Sequence, residues 1–210
     1  MAKIRAGMTM AKRLFDIALA LVLGILVAPF LVVLLLAMWA LDGRPLFYTS
    51  ERMKGVDRPF RLWKLRTMKP DLADSGVSGG DKAHRVTRMG HVLRRFRLDE
   101  IPQLWNVLKG DMSFVGPRPP LRLYVERFPA LYGEVLRSRP GITGLATLVY
   151  HSHEERLLAR CKTAEETDAV YSRACVPRKA RLDLIYQKHQ SLCSDIALLW
   201  QTAARMVRRR

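Results

Sequence analysis

At 210 residues the chain is long enough for one domain with a real core and an appendage. It carries 36 Lys and Arg against 19 Asp and Glu, a formal charge of +17, too large for an ordinary enzyme of neutral substrates. That charge implies a polyanionic partner, whether nucleic acid, anionic lipid or a phosphorylated substrate. The three cysteines, Cys161, Cys175 and Cys193, are odd in number and lie 14 and 18 residues apart, which argues against a disulfide framework, a zinc pair and a redox pair. Small buried thiols in a reducing compartment are expected.

The first predicted element is apolar. From Ile17 to Leu41 there are 25 residues without a charge, within "FDIALALVLGILVAPFLVVLLLAMWAL". A bilayer core takes roughly 20 apolar helical residues to cross, so the segment reads as membrane-embedded. The run is too long for a secretory signal, and no small-residue cleavage site closes it. Lys3, Arg5, Lys12 and Arg13 precede it, and seven Lys or Arg from Arg44 to Arg66 follow it. Both flanks therefore ask to be cytoplasmic. Pro29 removes a helix hydrogen bond near the middle, so a kink is expected there. The residues alone leave a straight span and a hairpin entering and leaving by one face both open, and the flanking charges favour the hairpin.

Residues 42–69 mix Gly-Arg-Pro punctuation with "PFRLWKLRTM", whose alternation fits a short strand or a surface helix. Residues 70–81, rich in Gly, Ser and Asp, read as a mobile loop. Residues 82–97 are basic and helix-compatible. A short helix is expected from Glu100 to Lys109, with Asp99 as its N-cap, Pro102 in its first turn and Gly110 as its stop. "VGPRPP" imposes a rigid extended turn. Residues 121–137 read as helical, "SRPGITGLA" as a turn followed by a brief strand, and 153–170 as helical. In the last segment Leu192, Ile196, Leu199, Ala203 and Met206 form a helical stripe that also carries Trp200 and ends in Arg208, Arg209 and Arg210. Such a helix suits a membrane interface, and core packing accounts for the stripe equally well. No internal repeat is present.

Between Lys82 and Arg122 nine Lys and Arg face three Asp and Glu, a local excess of +6. Such a field should depress carboxylate pKa values, so Asp99 and Glu100 are expected to be ionised. Solvated ion pairs would explain the two on their own. As a pair they could instead divide labour, one binding a divalent metal and one attacking phosphorus while arginines neutralise phosphate oxygens. Hard oxygen donors and few histidines point to Mg²⁺. His151 and His153 in "HSHEE" lack further histidines at ligand spacing and read as a polar surface turn.

The stretch "RLDEIPQLWNVLKGDMSFVGPRPP" resembles the signature of the bacterial sugar transferases, the small monotopic phosphoglycosyl transferases. Its companions follow in order along nearly the whole chain: an apolar segment with a central proline, "KLRTM" (Lys64 to Met68), a Gly/Ser-rich loop, "RPGITGLA" (Arg139 to Ala146) and the late Asp-x-x-Tyr of "LDLIY" (Leu182 to Tyr186). The resemblance implies transfer of a phosphosugar from a UDP-sugar to undecaprenyl phosphate with release of UMP, the opening membrane step of surface glycan or exopolysaccharide synthesis. By position, Asp99 would be the nucleophile that forms a covalent phosphosugar-aspartate. Glu100, with Asp99, would hold Mg²⁺. Arg94, Arg118 and Lys64 would contact phosphates.

The implied fold is an α-rich α/β assembly with a few short strands. Residues 1–42 would form a re-entrant membrane helix hairpin, and 43–210 a compact cytosolic catalytic domain with amphipathic interfacial helices. The implied location is the cytosolic face of the bacterial inner membrane, beside anionic lipids. Here Ala28 precedes Pro29 where the family often has a hydroxyl residue, so the proline must supply most of the bend. Many relatives follow Gly-Ile-Thr-Gly-Leu with a Gln-Val-Asn-Gly-Arg-like segment, whereas this chain reads "ATLVYHSHEERLLARC", which leaves the donor sugar open. A membrane-anchored binder of nucleic acid or anionic lipid would share the charge. No nucleic-acid module is present, nucleic acid is not expected as a partner, and the oligomeric state is left open.

Overall fold

The computed structural model describes residues 9–71, 77 and 79–208, the last three by backbone only. Lys3, Arg5, much of the Gly/Ser-rich loop, the Met206 and Arg208 side chains, Arg209 and Arg210 lie outside the described residues.

The apolar segment forms one helix, α1 (Met10–Asp42), long and apolar enough to cross a bilayer. Thr9 caps it by accepting a hydrogen bond from the Lys12 N–H, and Gly43 ends it at a positive φ of 68°. Helical geometry continues through Pro29. At 1.5 Å per residue a straight helix of this length would reach about 50 Å. Its middle is bare, with Ile25 75% and Leu26 67% exposed.

Both ends of α1 are seated on the rest of the chain. Near the start, Lys12 Nζ donates to the Val115 carbonyl and pairs with Asp195, while Asp16 accepts from the Phe114 N–H at 3.2 Å. Arg13 covers the Val107 and Leu108 carbonyls at 2.6 and 2.8 Å. At the far end, Arg66 donates to the Asp42 carbonyl and Thr87 Oγ1 to the Asp42 carboxylate, both at 2.6 Å. Ala20 joins one hydrophobic cluster, and Leu34 and Met38 join another.

After α1 the chain turns back in an antiparallel hairpin, β1 (Phe47–Met53) with β2 (Pro59–Leu65), paired from Phe47↔Leu65 to Met53↔Pro59. The "PFRLWKL" run is thus a strand. Then come a 3₁₀ turn (Gly80–Arg85), α2 (Arg88–Arg95), a second 3₁₀ turn (Leu98–Glu100) and α3 (Gln103–Lys109). Gly110, at φ 84°, ends α3 as expected.

Strand β3 (Ser113–Val115) lies parallel to β4 (Gly141–Thr143), joined through α4 (Arg122–Arg127) and α5 (Pro129–Val135). The expected single helix over 121–137 is two, split where Pro129 lacks an N–H and restricts Phe128. Two motifs far apart in sequence meet here backbone to backbone. A Cβ on Gly141 would stand 2.2 Å from the Gly116 nitrogen, and one on Gly144 2.2 Å from the Gly116 oxygen. Only glycine permits that approach.

Helix α6 (Leu145–Leu158) begins eight residues before the expected start, and α7 (Ala164–Val170) follows it. A π turn (Tyr171–Cys175) leads into α8 (Val176–Lys188), and α9 (Leu192–Arg208) closes the described chain. "HSHEE" is therefore helical rather than a surface turn. Cys161 and Cys175 are buried as expected, whereas Cys193 is exposed. Helices α4, α5, α6 and α8 enclose a core rich in tyrosine (Tyr124, Tyr132, Tyr150, Tyr171), and a second core gathers β2, α3, β3 and α9.

Candidate active site

The Asp-Glu pair sits in the 3₁₀ turn that precedes α3, not at a helix N-cap. Pro102 occupies the cap of α3, and Arg97 turns the chain with a left-handed backbone, φ 54° and ψ 25°. A non-glycine residue there is uncommon and carries strain. The turn closes through Glu100 N–H to the Arg97 carbonyl and Ile101 N–H to the Leu98 carbonyl, at 3.3 and 3.2 Å. Both carboxylates become buried, each residue 8% exposed.

Three cations converge on Glu100. Lys64 Nζ and Arg118 Nη2 meet its Oε1 at 3.3 and 3.2 Å, and Arg97 Nη2 meets Oε2 at 2.7 Å. Asp99 has one ion pair among the described residues, Lys64 Nζ to Oδ2 at 3.5 Å. The two carboxyls respond differently. Burial pushes both up, but for Glu100 the three cations outweigh it and hold its pKa far below the usual range. For Asp99 burial wins over Lys64, and the neighbouring Glu100 charge adds to the upward shift. The expectation of two depressed carboxylates thus holds for Glu100 and fails for Asp99, because only Glu100 is ringed by cations.

The sequence-predicted residues come together from separate elements. Lys64 is the penultimate residue of β2, and Arg118 follows β3 beyond the Gly116 contact. Burial lowers the Lys64 pKa against the pull of Glu100 and Asp99, while Glu100 raises that of Arg118. Arg94 stands at the rim, close enough to Asp99 to feel its charge, and its Nε donates to Thr67 Oγ1 at 3.0 Å. No ion pair joins Arg94 to the carboxylates among the described residues.

Several contributors were not singled out from the sequence. Arg97 pairs with Glu100, although its place two residues before Asp99 was a visible signal. Arg52 lies beside Arg118, and its burial brings its pKa down to about 10. Asn106, 1% exposed, locks α3 to β2: Oδ1 accepts from the Trp63 N–H at 3.0 Å and Nδ2 donates to the Arg61 carbonyl at 2.8 Å. It thereby holds Lys64 against the acidic turn. From α6, Glu154 pairs with Lys179 at 2.8 Å and adds its negative charge behind Arg118. The divergent segment thus reaches the back of the site.

His151 pairs with Glu155 at 3.3 Å, and the His153 ring packs against Tyr150 at a tilt of 54°. No group of three or more His, Cys, Asp or Glu among the described residues could hold a metal unaided. Asp99 and Glu100 nevertheless supply hard oxygens, and a Mg²⁺ site commonly takes one or two carboxylates and completes its shell with substrate phosphates. Glu100 has three cationic donors on roughly four lone-pair sites, so it retains room for one more ligand.

Comparison with known proteins shows which sequences the chain is similar to. The family model described as bacterial sugar transferase matches residues 7–209. A UDP-N-acetylgalactosamine-undecaprenyl-phosphate N-acetylgalactosaminephosphotransferase of Aeromonas hydrophila is 32% identical over 197 residues, covering 91% of this chain and 42% of that protein. A UDP-glucose:undecaprenyl-phosphate glucose-1-phosphate transferase of Caulobacter vibrioides is 39% identical over 150 residues, 68% of this chain and 55% of that protein. The Escherichia coli protein of the same description is 37% identical over 166 residues, 77% of this chain and 36% of its own length. The chain therefore spans about half or less of the length of these relatives.

Proposed function

As the chain belongs to the bacterial sugar transferase family, we propose that it transfers a sugar 1-phosphate from a UDP-sugar to undecaprenyl phosphate, through a covalent intermediate on Asp99. The single observation that carries this reading is the division between the two carboxylates. Glu100 is held by three cations, whereas Asp99 has one long contact with Lys64. Glu100 is thus a fixed anion that positions cations, and Asp99 is the carboxylate left to react.

In the first step an Asp99 oxygen attacks the β-phosphorus, and the bond to the bridging oxygen breaks. UMP leaves with that electron pair. Lys64 and Arg118 neutralise the phosphoryl oxygens as charge builds, at positions fixed before substrate arrives. In the second step an oxygen of the lipid phosphate attacks the same phosphorus and the Asp99 carboxylate departs, restoring the enzyme. The raised pKa of Asp99 suits a nucleophile, since a more basic carboxylate attacks more readily. Mg²⁺, held by Glu100 and Asp99 together with the donor phosphates, would add charge neutralisation at the diphosphate.

The relatives differ in donor, N-acetylgalactosamine in one and glucose in two, so family membership leaves the sugar open. Attachment of both ends of α1 to one body supports a re-entrant arrangement, with the bare middle in lipid and both ends on the cytosolic face. Exposed Trp39, Trp105 and Trp200 suit an interfacial belt. Beginning a surface glycan at the inner membrane is the role this chemistry serves. The test is UMP release from a panel of UDP-sugars with polyprenyl phosphate and Mg²⁺. The reading predicts release with one donor class and loss in Asp99→Asn, and a fully active Asp99→Asn would refute it.

A further inference from the structure

Beside the Asp-Glu turn lies a second cleft that the chemistry above does not use. Arg97, Thr143, Thr147, His151, Thr202 and Arg205 line it, so the acidic turn, β4, α6 and α9 all contribute. Its volume is about 40 Å³. A cavity of ~10–15 Å³ holds one water, so this one holds a few waters or one phosphoryl group, far less than a sugar or nucleoside. Two arginines, three threonines, His151 and Leu148 line it, and none of the lining residues among those described is acidic. Such a lining suits a phosphate dianion.

The lining is pre-organised. Arg97, whose backbone is held left-handed, spends one N–H on Glu100. Arg205 spends two, on the Leu148 carbonyl and on Ser152 Oγ, which fixes its plane across α6. A guanidinium carries five N–H donors, so both keep several for a ligand. Thr143 and Thr202 meet through their hydroxyls at 3.0 Å, tying β4 to α9. On its outer side α9 carries Ile196 and Trp200, 52% and 76% exposed, and α6 carries exposed Val149. The cleft therefore mixes polar side chains with Leu148, is bordered by exposed apolar residues of α9 and α6, and is connected to the acidic turn by Arg97.

We propose that this cleft seats the phosphate of the lipid acceptor, with its hydrocarbon chain lying along the outer faces of α9 and α6. Arg97 then serves both halves of the reaction, fixing Glu100 and receiving the incoming phosphate beside Asp99. The divergent segment of α6 shapes the acceptor seat through Thr147 and His151.

An acceptor phosphate exists only if the transferase reading holds, so the two half-reactions are measured apart. Arg205→Gln and the near-isosteric Thr202→Val are each mixed with donor alone, then with polyprenyl phosphate, and melted beside the wild type to confirm folding. The expected result is UMP release from donor alone at the wild-type rate, with the KM for polyprenyl phosphate raised about tenfold or more. An unchanged acceptor KM in both variants overturns the assignment. So does an equal slowing of the donor half-reaction, or a change confined to inhibition by UMP or inorganic phosphate. Absence of UMP release in the wild type with every donor would instead bring down the transferase reading itself.

Discussion

Glu100 organises its surroundings by being surrounded. Removing its charge in Glu100→Gln deprives Arg97 and Arg118 of this counter-ion and leaves Lys64 only its 3.5 Å contact with Asp99. Breaking a buried ionic cluster by one partner costs about 3–5 kcal/mol, toward the low end here because Arg118 is over a third exposed. Glu100→Gln should therefore lower the melting temperature and slow UMP release together. Thermal melting and a UMP assay on one sample check it, and an unchanged melting point would argue against the charge hub.

Asp183 gives a pH signature at the same scale. Buried in α8, it is pushed up to about 7 from an ordinary 3.8. Between those values the folded chain holds a proton that the unfolded chain releases. Stability from this group is thus greatest at low pH, falls as pH rises through that window, and is fully lost above about 7. With 1.36 kcal/mol per unit, the change is on the order of 4 kcal/mol. Asp183→Asn should flatten the stability profile between about pH 4 and 7, as read by denaturant unfolding in detergent. An identical slope in both proteins would refute the assignment.

At the scale of elements, the small parallel pairing of β3 and β4 brings Arg118 beside Glu100. Gly141→Ala would drive a Cβ to 2.2 Å from the Gly116 nitrogen, where only backbone could give way. It should cost about 3 kcal/mol and displace Arg118, lowering stability and activity together. A comparable knot holds the start of α1: Tyr186 donates to Asp195 at 2.6 Å, and Lys12 reaches both. The late Asp-x-x-Tyr motif is thus a clasp at its tyrosine.

Local signals were legible in the sequence. The apolar run, the Gly110 stop, the β2 alternation and the stretch holding Asp99 and Glu100 all follow from short-range chemistry. What failed depended on distant partners. The periodicity of α9 was right, but its stripe was given no side. Asp195, Thr202 and Arg205 face the protein because Lys12, Thr143 and the Leu148 carbonyl await them, so Ile196 and Trp200 face outward. Asp99 was expected as an N-cap because its residue type suits one, yet the left-handed Arg97 and Pro102 divert the chain into a 3₁₀ turn. The early start of α6 likewise depends on the Gly144 contact with Gly116, which no local pattern reveals.

For the whole molecule, the +17 charge and the exposed apolar middle of α1 suit two kinds of membrane contact, with headgroups and with lipid tails. Basic residues near anionic headgroups contribute roughly 1 kcal/mol each, so binding to anionic vesicles should weaken with salt. The re-entrant reading makes a sharper prediction. Single cysteines at Thr9 and Arg44, in a background with Cys193 replaced, should both react with an impermeant thiol reagent from the cytosolic side, and one at Ile25 should not. Labelling of Thr9→Cys and Arg44→Cys from opposite sides would demonstrate a straight span.

The most direct measurement is the intact mass of the protein after incubation with its donor in the absence of lipid acceptor. The expected result is a gain of one phosphosugar, located at Asp99, absent from Asp99→Asn, and removed when polyprenyl phosphate is added. An unmodified mass, under conditions where the complete mixture turns over, would contradict it.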